Sequence, residues 1–547
     1  WWARRPLIAS RAAIAAACLP IDAEEELVEL IRLREKMPYK EKPLIRIDAK
    51  LLDPFAGGGS IPFEAVRLGC DTYAIEYNPI AYVILKASLE YPAKYGEQLL
   101  EDVKRWSLWL INRVKDEVGR FFRKGVLNYR WGWQVKCERC GKYTLILKDW
   151  KISRKKGITM VPENDRIVIA KGKEAFKRVQ VKGRTKCVHC GHVMRSYIKE
   201  AFKKFLDLQE KYDPTGLGVM VYFARASDCD YILRPKMLIA AKRRGVQTTL
   251  DGNENEQTNR RSGKEYVIVT EEDIKIAIEA EEYLEKHIQA FLGEDLIPTE
   301  EIAPYGGKFI GGYLAPVTYG FKRWCQLFTP RQLLTAIAIL RAIKEARVRL
   351  ASLYDEDYVK AIMTYLALIL DKYLDRNAIV ASWDSGYEKV RNAMALLIPM
   401  TSDFIEINPF EQTSGSLINM VSNVIRGLEF SVNALKNTKC IPYVDYGSAT
   451  HLPYTDERFD VIITDPPYED DKPYAEVSDF WYVWLKRAIG DLYPEAFFYR
   501  TLWEEGAYEE VSVNPGRFEG QPDARKLAEK HYEDLLIASF KPVSYTH

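Results

Sequence analysis

The residues best suited to chemistry are Asp465, Pro466, Pro467 and Tyr468, which close the run FDVIITDPPY over 459–468. A carboxylate followed at once by a proline carbonyl can accept both hydrogens of a conjugated amine. That contact draws the nitrogen toward tetrahedral geometry and frees a lone pair that the ring otherwise delocalises. Proline suits the position because its ring stiffens the backbone and brings no N–H to compete. Tyr468 adds a flat face on which an extruded base can stack. The rate gain would come from positioning and preorganised electrostatics, with no covalent intermediate. A bare Asp-Pro-Pro can equally close a loop. Here the apolar FDVIIT reads as a buried strand that the prolines end, and ligands of open α/β sheets gather at the carboxyl ends of strands.

A second constellation is DPFAGGGS over 53–60, followed 19 residues after Gly57 by Glu76. Glycine lets the backbone come close to a ligand and leaves the N–H groups of the next helix free, which concerns Ala56, Gly57 and Gly59 of the turn. Glu76 ends the following strand, where a carboxylate can hold both hydroxyls of a ribose. The dinucleotide fingerprint would require a third glycine, and Pro62 stands there instead. Asp53 would repel a pyrophosphate but would suit the ammonium of a methionine moiety, so the charge argument favours S-adenosylmethionine. Ser448 and Ala449, in DYGSA over 445–449, follow another strand where the adenine of such a ligand is expected.

The third constellation is CERCG (137–141) and CVHCG (187–191). Two thiolates at CxxC spacing reach one ion, and the glycine after each permits the tight turn. Cys137, Cys140, Cys187 and Cys190 together suit a tetrahedral structural Zn²⁺. His189 and His192 are alternative ligands, read as facing solvent. The long gap between the pairs calls for an intervening hairpin. From Lys136 to Lys204 there are 20 Lys/Arg against 6 Asp/Glu, although the whole chain carries only +2. With Tyr143, Trp150, Phe176 and Tyr197 interleaved, this segment suits a polyanion.

These groups need elements to position them. Lys50–Asp53, the glycine turn, a helix over 60–68 stopped by Gly69, a strand over 71–76 and a helix from Pro79 make a βαβ unit, hence a parallel sheet. Strands are also expected over 440–446 and 459–464. Helices are expected over 97–124, 271–291, 330–353, 357–374, 388–397, 477–489 and about 524–540. The segment 241–264 reads as a polar loop or arm. At the N-terminus LIASRAAIAAACLPI over 7–21 looks superficially like a secretion signal, but Arg11 breaks its apolar run and acidic helix-forming sequence follows over 23–34, so a buried helix is expected. The domain reading is 1–130 and 326–547 for two parts of one α/β domain, 131–200 for a basic zinc-ribbon insertion, and 201–325 for a helical and loop insertion with a role in target recognition. The nine cysteines fit one metal site in a reducing, cytoplasmic setting rather than a disulfide scaffold. No apolar run reaches the length of a membrane span.

With these residues in view, the chain resembles adenine-specific DNA methylases that carry an internal zinc ribbon. The matching stretches are WWARRPLIASRA, LLDPFAGGGSIPFEAVRLGC, the cysteine insert, LFTPRQLLTA, Asn408–Phe410, GSATHLPY leading to DPPY, and PYAEVSDFWYVWLKR. The resemblance implies a Rossmann-like methyltransferase sheet and cofactor contacts from Asp53, Phe55, Gly57, Gly59 and Glu76. It also implies catalysis by Asp465–Tyr468 on double-stranded DNA with base flipping. Thr329-Pro330 resembles a cofactor-proximal Thr-Pro, and a helix start with Pro at its first position explains it equally well. The alternatives are RNA guanine-N2 or DNA cytosine-N4 methylation, or a catalytically silent nucleic-acid-binding module. Four of the seven strands of such a sheet are readable, so a chain cut short at its C-terminus is expected.

Overall fold

The computed structural model describes residues 6–20, 23, 47–147, 149–163, 166–173, 186–213, 215–219, 233–243, 264–307, 313–391, 394, 397–436, 438, 440–469, 472–506 and 508–546. The expected helix over 23–34 and nearly all of the 241–264 arm lie outside these residues. Arg243 and Lys264, at the arm's two ends, belong to strands.

A parallel sheet of four strands holds the chemistry-bearing segments. Its order is Tyr443–Tyr446, Asp71–Glu76, Lys50–Asp53, Val461–Ile462. Leu51 pairs with Val461, Asp53 with Ala74 and Tyr446 with Glu76. The strand ends that carry Asp53, Glu76, Tyr446 and Asp465 therefore point the same way. Between the first two strands runs the Ser60–Leu68 helix, entered and left by Gly59 (φ 80°) and Gly69 (φ 97°) in the left-handed region. Asn78 caps the Pro79–Leu85 helix by accepting from the Ile80 and Ala81 amides. The Leu7–Cys18 helix packs Ile14 and Ala15 against Leu51, Ala65 and Leu68. Arg11, which interrupts its apolar run, reaches the buried Glu64 at 2.7 Å. Long helices, among them Tyr91–Val118, Pro330–Ala351, Glu356–Leu374, Leu417–Leu435 and Tyr474–Ile489, pack on one another and on the short helices beside the sheet.

A second, antiparallel sheet has the order Asp403–Ile407, Val126–Lys136, Leu233–Arg243, Lys264–Ile268, with Tyr143–Ile146 paired to the far end of Val126–Lys136. It draws strands from every one of the four segments read in the sequence. Val126–Lys136 is buried on both faces, so its sequence VLNYRWGWQVK lacks the alternation that marks a half-exposed strand. Gly132 lies at its centre because a Cβ there would stand 2.5 Å from Leu147 Cδ2. Three short strands, Lys151–Ser153, Ile158–Glu163 and Arg166–Lys171, fill the gap between the cysteine pairs and include the expected hairpin.

Several expectations need correction. Among the described residues of 388–397 no helix forms, and Lys389–Val390 pairs with Trp383–Asp384 instead. Glu388 turns that hairpin at φ 50°, and its carboxylate accepts from Lys156 and Tyr266. The strand expected over 459–464 is reduced to Val461–Ile462, and that over 440–446 to Tyr443–Tyr446. The helix expected over 97–124 does start after a break at Gly96 (φ 53°), beyond a short helical stretch from Tyr91, but stops at Val118. The final helix runs Ala524–Thr546, straight through Pro542, rather than ending near 540. The Asp403–Ile407 strand and the Leu417–Leu435 helix were not read at all.

Candidate functional site

One cavity of about 370 Å³ lies over the carboxyl ends of the parallel strands. Asp53, Phe55, Ala56, Gly57, Glu76, Ser448, Ala449, Asp465, Pro466, Pro467 and Tyr468 all line it. Residues up to 415 positions apart in the chain thus meet because the 50–53 strand sits between the 71–76 and 461–462 strands. Gly59 does not line this cavity. It starts the Ser60–Leu68 helix, where an added Cβ would stand 2.8 Å from Leu85 Cδ2. Its role here is close packing of turn on helix.

Glu76 organises the turn. Its two carboxylate oxygens accept from the Gly57 amide at 2.7 Å and the Asn78 amide at 2.8 Å. Burial raises its pKa, and those amides, with that of Tyr77, oppose the rise. Each oxygen keeps a further lone pair that a ribose hydroxyl could use. Asp53 accepts from the Thr464 hydroxyl at 2.7 Å and the Phe55 amide at 3.2 Å. Burial is the main force pushing its carboxyl up to about 7, with Glu76 and Asp465 adding to it. A buried acid at the edge of ionisation beside two other carboxylates makes a cavity that favours a cation.

Asp465 accepts from the Tyr468 hydroxyl at 2.8 Å, so the tetrad is internally braced. Tyr468 is 56% exposed at the mouth of the cavity. Tyr532, on the Ala524–Thr546 helix, donates to the Pro467 carbonyl at 2.9 Å and ties the tetrad to the end of the chain.

Sequence reasoning missed a wall of the cavity: Tyr77, Tyr446, Tyr474, Leu502, Gly506, Glu509, Glu510 and Val511. Tyr446 carried a signal, since it ends the strand that precedes DYGSA. Leu502, Gly506 and Glu509 to Val511 carried none, because a single π-helical turn over Leu502–Gly506 has no readable period and these residues reach the site only through tertiary packing. Glu510 accepts from the Ala475 amide at 2.8 Å and from buried Arg517, which also pairs with Glu476 at 3.2 Å. Burial pushes Glu510 up to about 7 against the pull of Arg517. Thr329 is not among the lining residues. It caps the Pro330–Ala351 helix in a reciprocal pair with Gln332 and donates to Glu406 at 2.8 Å, which favours the helix-start reading of Thr-Pro.

The four cysteines come together. Their sulfurs lie within 4.8 Å of one another, close enough to hold a metal ion such as zinc. The two knuckles have matched backbones. Gly141 donates to the Cys137 carbonyl and Gly191 to the Cys187 carbonyl, and both glycines have positive φ (67° and 72°). His189 lies 3.0 Å from the Tyr143 carbonyl and His192 2.8 Å from Glu138, so both rings are engaged away from the sulfurs.

Among the described residues no helix is long and apolar enough to cross a membrane. Compared with protein-family models, curated proteins and solved structures, the chain matches none.

Proposed function

We propose that this chain is an S-adenosylmethionine-dependent methyltransferase acting on the exocyclic amine of a nucleic-acid base, with adenine N6 in DNA as the leading substrate. The observation that carries this reading is the shared cavity: a glycine turn, a strand-end acid and the DPPY tetrad line one space of about 370 Å³. That volume falls within the roughly 300–1,000 Å³ of small-molecule and cofactor pockets.

Glu76 would hold the ribose hydroxyls, Asp53 the ammonium, and Ser448 with Ala449 the adenine edge. Bound S-adenosylmethionine would supply an electrophilic methyl carbon on a cationic sulfur, and the thioether left behind keeps that bond's electron pair. The chain's own part is to present the nucleophile. Asp465 accepts one amine hydrogen and the Pro466 carbonyl the other, while Tyr468 stacks on the flipped base. Asp465 is then placed to receive the proton that the alkylated nitrogen sheds. The Zn²⁺ ribbon and its basic surround would contact phosphates and steer the duplex. The parallel sheet with strand-end ligands is the arrangement expected of a Rossmann-like methyltransferase core.

The test is to incubate the chain with methyl-labelled cofactor and separate DNA and RNA pools, then digest and identify the labelled nucleoside. N6-methyl-2′-deoxyadenosine from the DNA pool is expected. Label confined to RNA would overturn the substrate, and undiminished transfer by Asp465→Ala would overturn the mechanism.

A further inference from the structure

On the other side of the glycine turn lies a second cavity of about 470 Å³, whose lining shares Gly58 and Ser60 with the first. Its walls are mostly apolar, with Phe63 and Phe430 stacked at 5.6 Å and Trp481 nearby. Into this lining the Glu356–Leu374 helix and its C-cap bring Asp371 and Asp375, one helical turn apart. Asp371 is 7% exposed and Asp375 1%. Asp371 Oδ1, Asp375 Oδ2 and the Ser88 hydroxyl, all from lining residues, are buried with no hydrogen-bond partner among the described residues. Asp375 Oδ2 stands 3.8 Å from Arg376 Nε, and its other oxygen accepts from the Met394 amide at 3.2 Å. Burial holds the Asp371 carboxyl far above the usual carboxylate range.

Buried acceptors without donors are costly and rare, and three at one cavity ask for a ligand that donates. Aromatic faces beside carboxylates suit a cation with an apolar body, which gains from both. A bare divalent cation fits less well, since it would retain waters or require several oxygen ligands in a mostly apolar space.

We infer that this second cavity binds a small organic ammonium ion, its N–H groups donating to Asp371 and Asp375 and its apolar body lying against Phe63, Phe430 and Trp481. The site is distinct from the proposed methyl-transfer cavity, with which it shares only Gly58 and Ser60 of the turn.

Calorimetric titration of the intact chain with cyclohexylammonium chloride tests this, with cyclohexanol as the neutral isostere and MgCl₂ as the bare cation. Saturable binding of the ammonium is expected, at least about tenfold tighter than the alcohol, which corresponds to about 1.4 kcal/mol. Asp371→Asn should remove that preference, while Asp53→Asn should leave it in place. No binding, equal binding of the alcohol, tighter binding of Mg²⁺, or loss in Asp53→Asn but not in Asp371→Asn would each overturn the inference. The comparison of ammonium with alcohol on the unaltered chain stands even if a variant folds poorly.

Discussion

Asp53 titrates in the physiological range because the sheet buries it beside two other acids. Its carboxyl lies at about 7 in the folded chain against 3.8 when free. The folded state therefore favours the protonated form, so stability is highest below about pH 4 as far as this group is concerned and is lost as pH rises through 7. Asp53→Asn should raise the melting temperature more at pH 8 than at pH 5, which scanning calorimetry at the two values would show. If the ionised carboxylate holds an ammonium, cofactor affinity in the unaltered chain should rise from pH 5.5 to about 7.5 and then level. That slope should vanish in Asp53→Asn; an unchanged slope would remove Asp53 from cofactor binding. Tyr468 allows a parallel test. Stacking on a base is worth ~1–3 kcal/mol. Tyr468→Ala should thus lower kcat/KM about 10–100-fold, and Tyr468→Phe much less, since the ring face remains.

At the scale of elements, Glu76 is a structural acid before it is a ligand-binding one. It satisfies the Gly57 and Asn78 amides, which join the glycine turn to the start of the Pro79–Leu85 helix. Glu76→Ala would leave these donors without their acceptor, at a cost of about 1–3 kcal/mol for each that water cannot reach. A lowered denaturation midpoint is expected together with lost cofactor binding. Full stability in that variant would show that water replaces the carboxylate. The turn's other device is steric. Gly59→Ala forces a Cβ toward Leu85 at positive φ and should destabilise without touching a cavity residue of the proposed methyl-transfer site. Arg331 and Glu406 pin the Pro330–Ala351 helix to the Asp403–Ile407 strand, both side chains at most 2% exposed. Arg331→Met leaves the Glu406 charge buried, for which about 3–5 kcal/mol is expected.

At the scale of the whole molecule, the cysteine cluster joins chain segments about 50 residues apart at one end of the antiparallel sheet. Cys137 follows directly on the Val126–Lys136 strand, and Cys187 precedes the Arg195–Tyr212 helix. Chelation should release one metal ion per chain and lower the melting temperature. Hydrogen-exchange protection should fall around 136–146 and 186–200 while the parallel sheet keeps its own. A chain that releases no metal would refute the zinc assignment. Legibility follows contact range. Lys50–Asp53, the 60–68 helix with its Gly69 stop, Asp71–Glu76 and both cysteine knuckles were readable because each is written in neighbouring residues. Val126–Lys136 was not, since burial on both faces erases the period, and the apolar spacing of 388–397 suits a helix although Lys389–Val390 pairs as a strand with Trp383–Asp384.

What the sequence by itself determined were the local devices: a turn that glycine alone can make, two knuckles with positive-φ glycines, a rigid Asp-Pro-Pro-Tyr, and the caps of the longer helices. Backbone sterics and short-range hydrogen bonds specify these wherever the chain places them. The tertiary structure decided what they do together. Pairing of Leu51 with Val461 brings Asp465 to Asp53, residues of the 502–511 stretch line the cavity, and the Glu356–Leu374 helix buries two aspartates on the other side of the same turn. No local rule encodes those meetings, because they arise from sheet order and from packing between residues hundreds of positions apart.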